Sequence, residues 1–222
     1  NVNMQVIMFN NQIYGLTKGQ YSPTSEKGKI TKSTPFGSLD HPFNPIALVL
    51  GADASFVARS MDRDPKHMKE MLKASHAYQG TGFVEVYQNC NIFNDGAFFQ
   101  YTEKATKSDR AIFIEHGKPL VYAGGKKGLR LEGFHLETVD LESGDFGLDD
   151  CLVYDETSRE LAGILSRVYW KEDLPQPFGI FYREKRPAYD VQVREQINAV
   201  IERSGKGSLK QLLEEGDTWE VN

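Results

Sequence analysis

The feature that most constrains this chain lies near its start. Met4-Gln-Val-Ile-Met-Phe9 is an apolar, partly β-branched run of strand length, and it breaks abruptly into Asn10-Asn11-Gln12-Ile13-Tyr14-Gly15-Leu16-Thr17-Lys18-Gly19. Such a run predicts a strand buried on both faces, and the change to Asn, Gly, Thr and Lys marks its carboxyl end. In open α/β sheets ligands bind at the carboxyl ends of the strands. Asn side chains and free carbonyls are hard oxygen ligands for a cation, while Gly15 and Gly19 let backbone N–H groups come close to a phosphate. The same residue types also make an ordinary turn, so the residues alone leave both readings open.

Residues 14–45 are rich in Gly, Ser, Thr, Pro and Lys and show no periodicity. A connection of that length is usually functional or disordered. Tyr21 and Phe36 as aromatic anchors, with Pro23, Pro35, Pro42 and Pro45 as stiffeners, point to an ordered loop that wraps a ligand and meets a partner. Apolar spacing predicts a helix over Ile46–Ala58, weakened by Gly51. Asp64-Pro65 predicts a capped helix start, and Met68, Met71 and Leu72 then fall on one face, the pattern of core packing rather than of a cofactor box. Thr81–Gln88 reads as a strand and Ala97–Lys104 as a short helix. Strand, long loop, helices and strand in that order predict an α/β fold with a mostly parallel sheet and flanking helices.

From Ala111 the character changes. Ile112–Glu115, Pro119–Tyr122 and Gly128–Leu131 read as short strands between Gly- and Lys-rich turns. Helices are predicted over Glu156–Trp170 and Tyr189–Arg203, followed by a flexible Ser204-Gly-Lys-Gly-Ser208 joint and a last short helix. The division expected is therefore residues 1–110 as one unit and 111–222 as a β-rich and helical carboxyl-terminal extension.

Composition limits the function classes. With 222 residues, 40% hydrophobic and 26% charged, the chain can bury a sizeable core, and its net charge of −5 argues against a general nucleic-acid binder. No apolar run approaches the roughly 18–20 residues that cross a bilayer, and the opening residues lack the basic n-region of a signal peptide. The chain has two cysteines, Cys90 and Cys151. They make no disulfide framework, which favours a reduced, cytoplasmic setting, and they cannot by themselves supply the four thiolates of an iron–sulfur cluster. The five histidines are scattered without metal-ligand spacing, and only His41, in the polar loop, is placed to face a site. Gly124-Gly-Lys-Lys-Gly128 lacks the spacing of a nucleotide-binding loop. Asp149-Asp150 and Glu214-Glu215 read as solvated charge.

The stretch from Asn10 to Thr24 resembles the second half of the thiamine-diphosphate motif in β subunits of 2-oxoacid:ferredoxin oxidoreductases, above all the 2-oxoglutarate type. The likeness continues through Lys29-Ile-Thr-Lys-Ser-Thr-Pro35, Gly51-Ala-Asp-Ala54 and Tyr87-Gln-Asn-Cys-Asn-Ile-Phe-Asn94. It implies a thiamine-diphosphate-binding domain over residues 1–110, with Mg2+ held by the Asn11 side chain and the Ile13 carbonyl. Gly15, Leu16 and Thr17 would then lie against the cofactor, Leu16 would shape the substrate pocket, and Lys18 would attract the carboxylates of a 2-oxoacid. Cys90 takes the position of a [4Fe–4S] ligand, whereas Cys151 has no counterpart and reads as structural. The implied activity is CoA-dependent oxidative decarboxylation of 2-oxoglutarate, with electrons passed to ferredoxin, in a heterodimer whose α subunit supplies the Glu that activates the cofactor.

The departures matter as well. This sequence contains neither the Gly-Asp-Gly motif that supplies the family's Asp ligand nor an upstream Cys-x-x-Cys pair. The chain opens on Asn1 almost inside a strand, so it is expected to be the carboxyl-terminal two-thirds of such a subunit and inactive alone. Two alternatives stand beside that reading: a non-redox thiamine-dependent carboligase or decarboxylase, and a scaffold subunit without cofactor.

Overall fold

The computed structural model describes residues 1–169, 171, 173–217 and 219. Its first half alternates strands and helices: β1 Met4–Asn10, β2 Ile13–Tyr14, β3 Gln20–Tyr21, α1 Pro45–Gly51, β4 Phe56–Met61, α2 Pro65–Ala77, β5 Thr81–Tyr87, α3 Phe99–Thr102 and α4 Lys107–Arg110. The second half adds β6 Ala111–Ile114, β7 Val121–Tyr122, β8 Lys127–Glu132, β9 His135–Asp140, α5 Arg159–Ser166, β10 Gln176–Arg183, α6 Tyr189–Ser204 and α7 Leu209–Glu214. The central sheet has five strands in the order β1-β5-β4-β10-β6. β1, β5 and β4 run parallel, and β10 is antiparallel to β4 but parallel to β6. The expected α/β class with a mostly parallel sheet is what the chain adopts. The sheet takes strands from both sides of residue 110, while β7-β8-β9 form a separate antiparallel sheet.

Both faces of the sheet centre are covered, which explains why β4 is buried at every position. Met68, Met71 and Leu72 of α2 pack on Phe56, Ala58, Val84 and Val86, so the methionine stripe is core as expected. On the other face α1 and α5 bring Ile46, Leu50, Ala162 and Leu165 onto Val57, Phe83, Ile112 and Phe181, and Tyr122 and Leu129 of the small sheet close the same cluster. The α2 start is built as its sequence predicts. Asp64 accepts the His67 N–H at 3.1 Å, Pro65 occupies the first turn, and Lys107 pairs with the Asp64 carboxylate at 2.7 Å.

Several expectations are corrected. β1 is an edge strand rather than one buried on both faces, with Met4, Ile7 and Phe9 about half exposed at 51%, 46% and 60%. The helix predicted over Ile46–Ala58 stops at Gly51, and the strand β4 begins five residues later at Phe56. Val57 suited the helical spacing, but Phe56-Val-Ala-Arg-Ser-Met61 belongs to the sheet because it pairs with β5 along its whole length and with β10 from Phe56 to Arg59. The helix over Glu156–Trp170 is confined to Arg159–Ser166, and Trp170 lies outside the described residues. Phe36 is fully exposed at 100% and anchors nothing in this chain, whereas the Tyr21 hydroxyl donates to Asp40 at 2.7 Å.

β10 also escaped prediction, because Pro177 and Gly179 argue against a central strand. Pro177 precedes the first β10 residue paired with β4, Gly179, so its missing N–H interrupts no bond to that strand. Gly179 sits at φ +134°, where an added Cβ would stand 2.5 Å from the Ile114 carbonyl oxygen. Only glycine tolerates that approach.

The contact between α2 and β4 carries a pH dependence. His67 shares a 2.8 Å hydrogen bond between its Nδ1 and the buried Ser60 hydroxyl, and its ring meets Phe113 edge-on. Burial pushes the His67 pKa below the ordinary imidazole value, despite opposing attraction from Asp64 and Glu70. The folded protein therefore holds a neutral ring that the unfolded chain would protonate, and stability present above the unfolded pKa of about 6.5 is lost as pH falls below it. His67→Gln should flatten that part of the pH profile, as read by melting temperature between pH 7 and pH 5.

Candidate functional site

The carboxyl ends of β1, β5 and β4 meet at one rim, and hydrogen bonds stitch their exits together. Gln88 N–H donates to the Asn10 carbonyl at 2.9 Å, Asp62 N–H to the Tyr87 carbonyl at 2.9 Å, and Asn89 N–H to the Asp62 carboxylate at 2.8 Å. The Asn-Asn segment and the Cys90 turn therefore leave the sheet side by side, where doubly wound sheets place their ligands.

Asn10 and Asn11 have different tasks. Asn10, 2% exposed, turns inward. Its Nδ2 donates to Glu85 Oε1 at 2.8 Å, and its Oδ1 accepts the Thr24 hydroxyl at 2.7 Å and the Gln12 N–H at 3.2 Å. Asn11 is half-buried, and its Oδ1 accepts the Ile13 N–H at 3.2 Å. This Asx turn brings the Asn11 side-chain oxygen next to the Ile13 backbone. Between them Gln12 has a φ of 56°, a left-handed conformation uncommon for a residue with a Cβ, and neither polar atom of its buried side-chain amide has a hydrogen-bond partner. Ser25 Oγ donates to the Gln12 carbonyl at 2.5 Å, so the long loop folds back onto the same peptide.

Beyond Ile13 the chain makes the β2-β3 hairpin. Gly19 N–H donates to the Tyr14 carbonyl and Lys18 N–H to the Gly15 carbonyl, both at 3.0 Å, and Lys18 takes a φ of 61°. Gly15, Leu16, Thr17 and Lys18 form the exposed tip, where Leu16 shows 98% of its surface. A nearby open cavity of about 690 Å3 is lined by Tyr14, Tyr21, Ser33, Asp40, His41 and Phe43 among others, so His41 borders a concave surface.

Cys90 is partly buried and free. Its carbonyl accepts the Asn94 N–H at 2.9 Å, closing a turn that Asn89 ties further through Asp95 and Gly96. Cys151 is buried, near Gly128 and the Val139 side chain, and burial raises its thiol pKa. Among the described residues no group of three or more His, Cys, Asp or Glu side chains could hold a metal. The rim therefore offers oxygens of the Asn and carbonyl type, which suits Mg2+ with its remaining ligands taken from phosphate, water or a carboxylate from elsewhere. Cys90 offers a single thiolate, so a four-thiolate cluster does not fit the described residues by themselves.

Below the rim lies a feature that the sequence reading missed. Arg59 on β4 and Glu85 on β5 are both fully buried and form an ion pair at 2.8 Å. The Arg59 guanidinium also stands 5.0 Å from the Tyr87 ring centroid and 5.1 Å from that of Phe181, and it donates to the Pro177 carbonyl at 3.4 Å. Burial opposes its charge, but the hydrogen-bonded Glu85 carboxylate offsets this and its pKa stays above the ordinary value. The available signal was one charge of each sign within two otherwise apolar runs, Phe56–Met61 and Thr81–Tyr87.

The model of the thiamine pyrophosphate enzyme C-terminal TPP-binding domain matches residues 1–86, which include β1, the Asn-Asn segment and most of β5. The chain is 44% identical to the 2-oxoglutarate oxidoreductase subunit KorB of Mycobacterium tuberculosis, across 100% of this chain and 60% of that protein. Along its whole length the chain is similar to a β subunit of the 2-oxoacid:ferredoxin oxidoreductases. A second relative, the 2-oxoacid:ferredoxin oxidoreductase subunit beta of Saccharolobus solfataricus, is 42% identical over 47% of this chain and 34% of its own length. A solved 2-oxoglutarate:ferredoxin oxidoreductase from Magnetococcus marinus, with 2-oxoglutarate, coenzyme A and succinyl-CoA bound, superposes with a TM-score of 0.67. That superposition covers 98% of this chain and 60% of the other at 24% identity, a likeness of fold. The chain thus spans about 60% of the length of the full-coverage relatives in this family. Among the described residues no helix is long and apolar enough to cross a membrane.

Proposed function

We propose that this chain works within a β subunit of a 2-oxoglutarate:ferredoxin oxidoreductase, assembled with an α subunit in the cytoplasm. The reaction is oxidative decarboxylation of 2-oxoglutarate with coenzyme A, giving succinyl-CoA and CO2 while two electrons pass to ferredoxin. The observation that carries this reading is the 44% identity to a 2-oxoglutarate oxidoreductase subunit along the whole chain, joined to an Asn-built rim at the carboxyl end of β1.

In this reading the Asn11 Oδ1 and the Ile13 carbonyl would hold Mg2+ and, through it, the diphosphate of thiamine diphosphate. When bound, that cofactor supplies the carbanion chemistry of decarboxylation. The protein's own part is orientation. Asn10, locked by Glu85 and Thr24, sets where β1 ends, and the Asx turn presents Asn11 beside Ile13. Gly15, Leu16 and Thr17 would lie along the cofactor, Leu16 would border the substrate, and the Lys18 ammonium would attract substrate carboxylates. Leu16, Ile30, Phe36 and Leu39 are all strongly exposed along the loop that follows β1, which supports a loop covered by the α subunit. Cys90 serves as one ligand of a [4Fe–4S] cluster whose other thiolates lie outside the described residues. Residues 1–110 act as the cofactor-binding unit and residues 111–222 as an extension that shares the central sheet.

Isothermal titration of thiamine diphosphate with Mg2+ into the assembled complex tests the reading. Saturable, Mg2+-dependent binding and 2-oxoglutarate-dependent reduction of ferredoxin are expected, and Cys90→Ser should lower the iron content. Binding without electron transfer would instead indicate a non-redox carboligase or decarboxylase. Absence of any binding would leave only a scaffold subunit.

A further inference from the structure

Asn94 lies on the Cys90 turn, far in sequence from the Asn-Asn segment, yet its side chain reaches that segment. Its Nδ2 donates to the Asn11 carbonyl at 2.9 Å and lies 3.4 Å from the Gln12 carbonyl. Its Oδ1 accepts the Lys29 ammonium at 2.5 Å, and Lys29 is in turn paired with Glu26 at 3.0 Å. Its backbone N–H closes the turn on the Cys90 carbonyl. Asn94 is 5% exposed, so one buried amide joins the rim loop, the Cys90 turn and the long loop.

We propose that Asn94 is a positioning residue for the cation and diphosphate: it holds the Asn11–Gln12–Ile13 peptides in the conformation that presents the Asn11 and Ile13 oxygens. This deepens the functional reading above and rests on it. The Asn11 and Gln12 carbonyls lie between the two ligand oxygens along the chain, and Gln12 is held at a φ of 56°, a conformation a non-glycine residue keeps only when its surroundings impose it. Asn94 from one side and Ser25 from the other are the groups that grip the Gln12 carbonyl. A primary amide suits this role because its two N–H donors serve the backbone while its oxygen remains free for Lys29. An Asp there keeps the acceptor for Lys29 but loses both donors and turns a carboxylate toward carbonyl oxygens.

The test compares variants in the full-length subunit assembled with its partner, by thiamine diphosphate titration at fixed Mg2+ and by hydrogen exchange of peptides covering residues 10–17 and 88–96. Asn94→Ala and Asn94→Asp should each weaken cofactor binding by about 10- to 100-fold, the cost typical of losing a group that orients a metal ligand. Both should speed exchange in both peptides, and Lys29→Met should act in the same direction with a smaller shift. Asn89→Ala is the control. It removes ties of the same turn to Asp95 and Gly96 without touching the Asn11 segment, so it should speed exchange at 88–96 and leave cofactor affinity within twofold of the parent. The proposal is overturned if Asn94→Ala leaves affinity within twofold of a parent that binds, or if Asn89→Ala lowers it as much. A parent that binds no cofactor would instead overturn the functional reading beneath it.

Discussion

Replacing Arg59 by methionine should destabilise the protein by about 3–5 kcal/mol, the range for breaking a buried ion pair from one side. Arg59 and Glu85 have no exposed side-chain surface and meet at 2.8 Å between adjacent parallel strands. Methionine fills much of the arginine volume, so the cost is electrostatic more than steric. Among the described residues Glu85 would keep only the Asn10 amide as a hydrogen-bond partner, and a buried carboxylate with one neutral donor either takes up a proton or draws in water. In urea the loss should appear as a midpoint lower by about 1–2 M. Arg59→Met/Glu85→Gln should recover part of it, because a neutral amide accepts burial more readily, and the non-additivity of the cycle measures the coupling. A single-variant loss under about 1 kcal/mol would show that water reaches the pair. The consequence extends to the rim, since Glu85 orients Asn10 and Asn10 holds Thr24 and the Gln12 peptide. Arg59→Met should therefore weaken cofactor binding as well as folding.

How much of this was legible in the sequence depends on whether local pattern or long-range pairing decided each element. The α2 start was legible because Asp64-Pro65 and the Met68, Met71, Leu72 stripe are local signals, and each makes the contact its type implies. β5 was legible because Phe83, Val84, Val86 and Tyr87 are aromatic or β-branched, with Glu85 the single charge among them. β4 was not, because Ile46, Val49, Leu50, Ala54 and Val57 satisfy a helical spacing and only pairing with β5 and β10 assigns Phe56–Met61 to the sheet. β10 was hidden by Pro177 and Gly179, both of which it accommodates through neighbours that no local window contains. The apolar composition of β1 correctly signalled a strand, but burial is a property of neighbours, and among the described residues β1 has a strand on one side alone. At the rim, the end of β1 at the Asn-Asn segment was legible. By residue type alone Asn10 and Asn11 look interchangeable, and only the family resemblance singled out Asn11; Glu85 and Thr24 are what turn Asn10 inward.

That difference sets the second large effect. On the proposed reading, Asn11→Ala should lower Mg2+-dependent affinity for thiamine diphosphate in the assembled complex by at least about 100-fold, above the range for orienting groups because a ligand itself would be lost. That corresponds to about 2.8 kcal/mol of binding free energy. Alanine also removes the acceptor for the Ile13 N–H, so a stability loss of about 0.5–1.5 kcal/mol accompanies it, and the two effects have to be separated. Asn11→Asp separates them. Aspartate retains an oxygen for the Asx turn and an oxygen for the cation, and its charge favours a divalent ion, so its affinity should stay within tenfold of the parent at saturating Mg2+. A turn residue with no metal role behaves differently: Asn11→Ala would then lower the melting temperature and leave cofactor affinity unchanged. Asn10 supplies the contrast. Its oxygen is already taken by Thr24 and Gln12, so Asn10→Ala should act first on folding through Glu85, and on the cofactor only through the loop it releases.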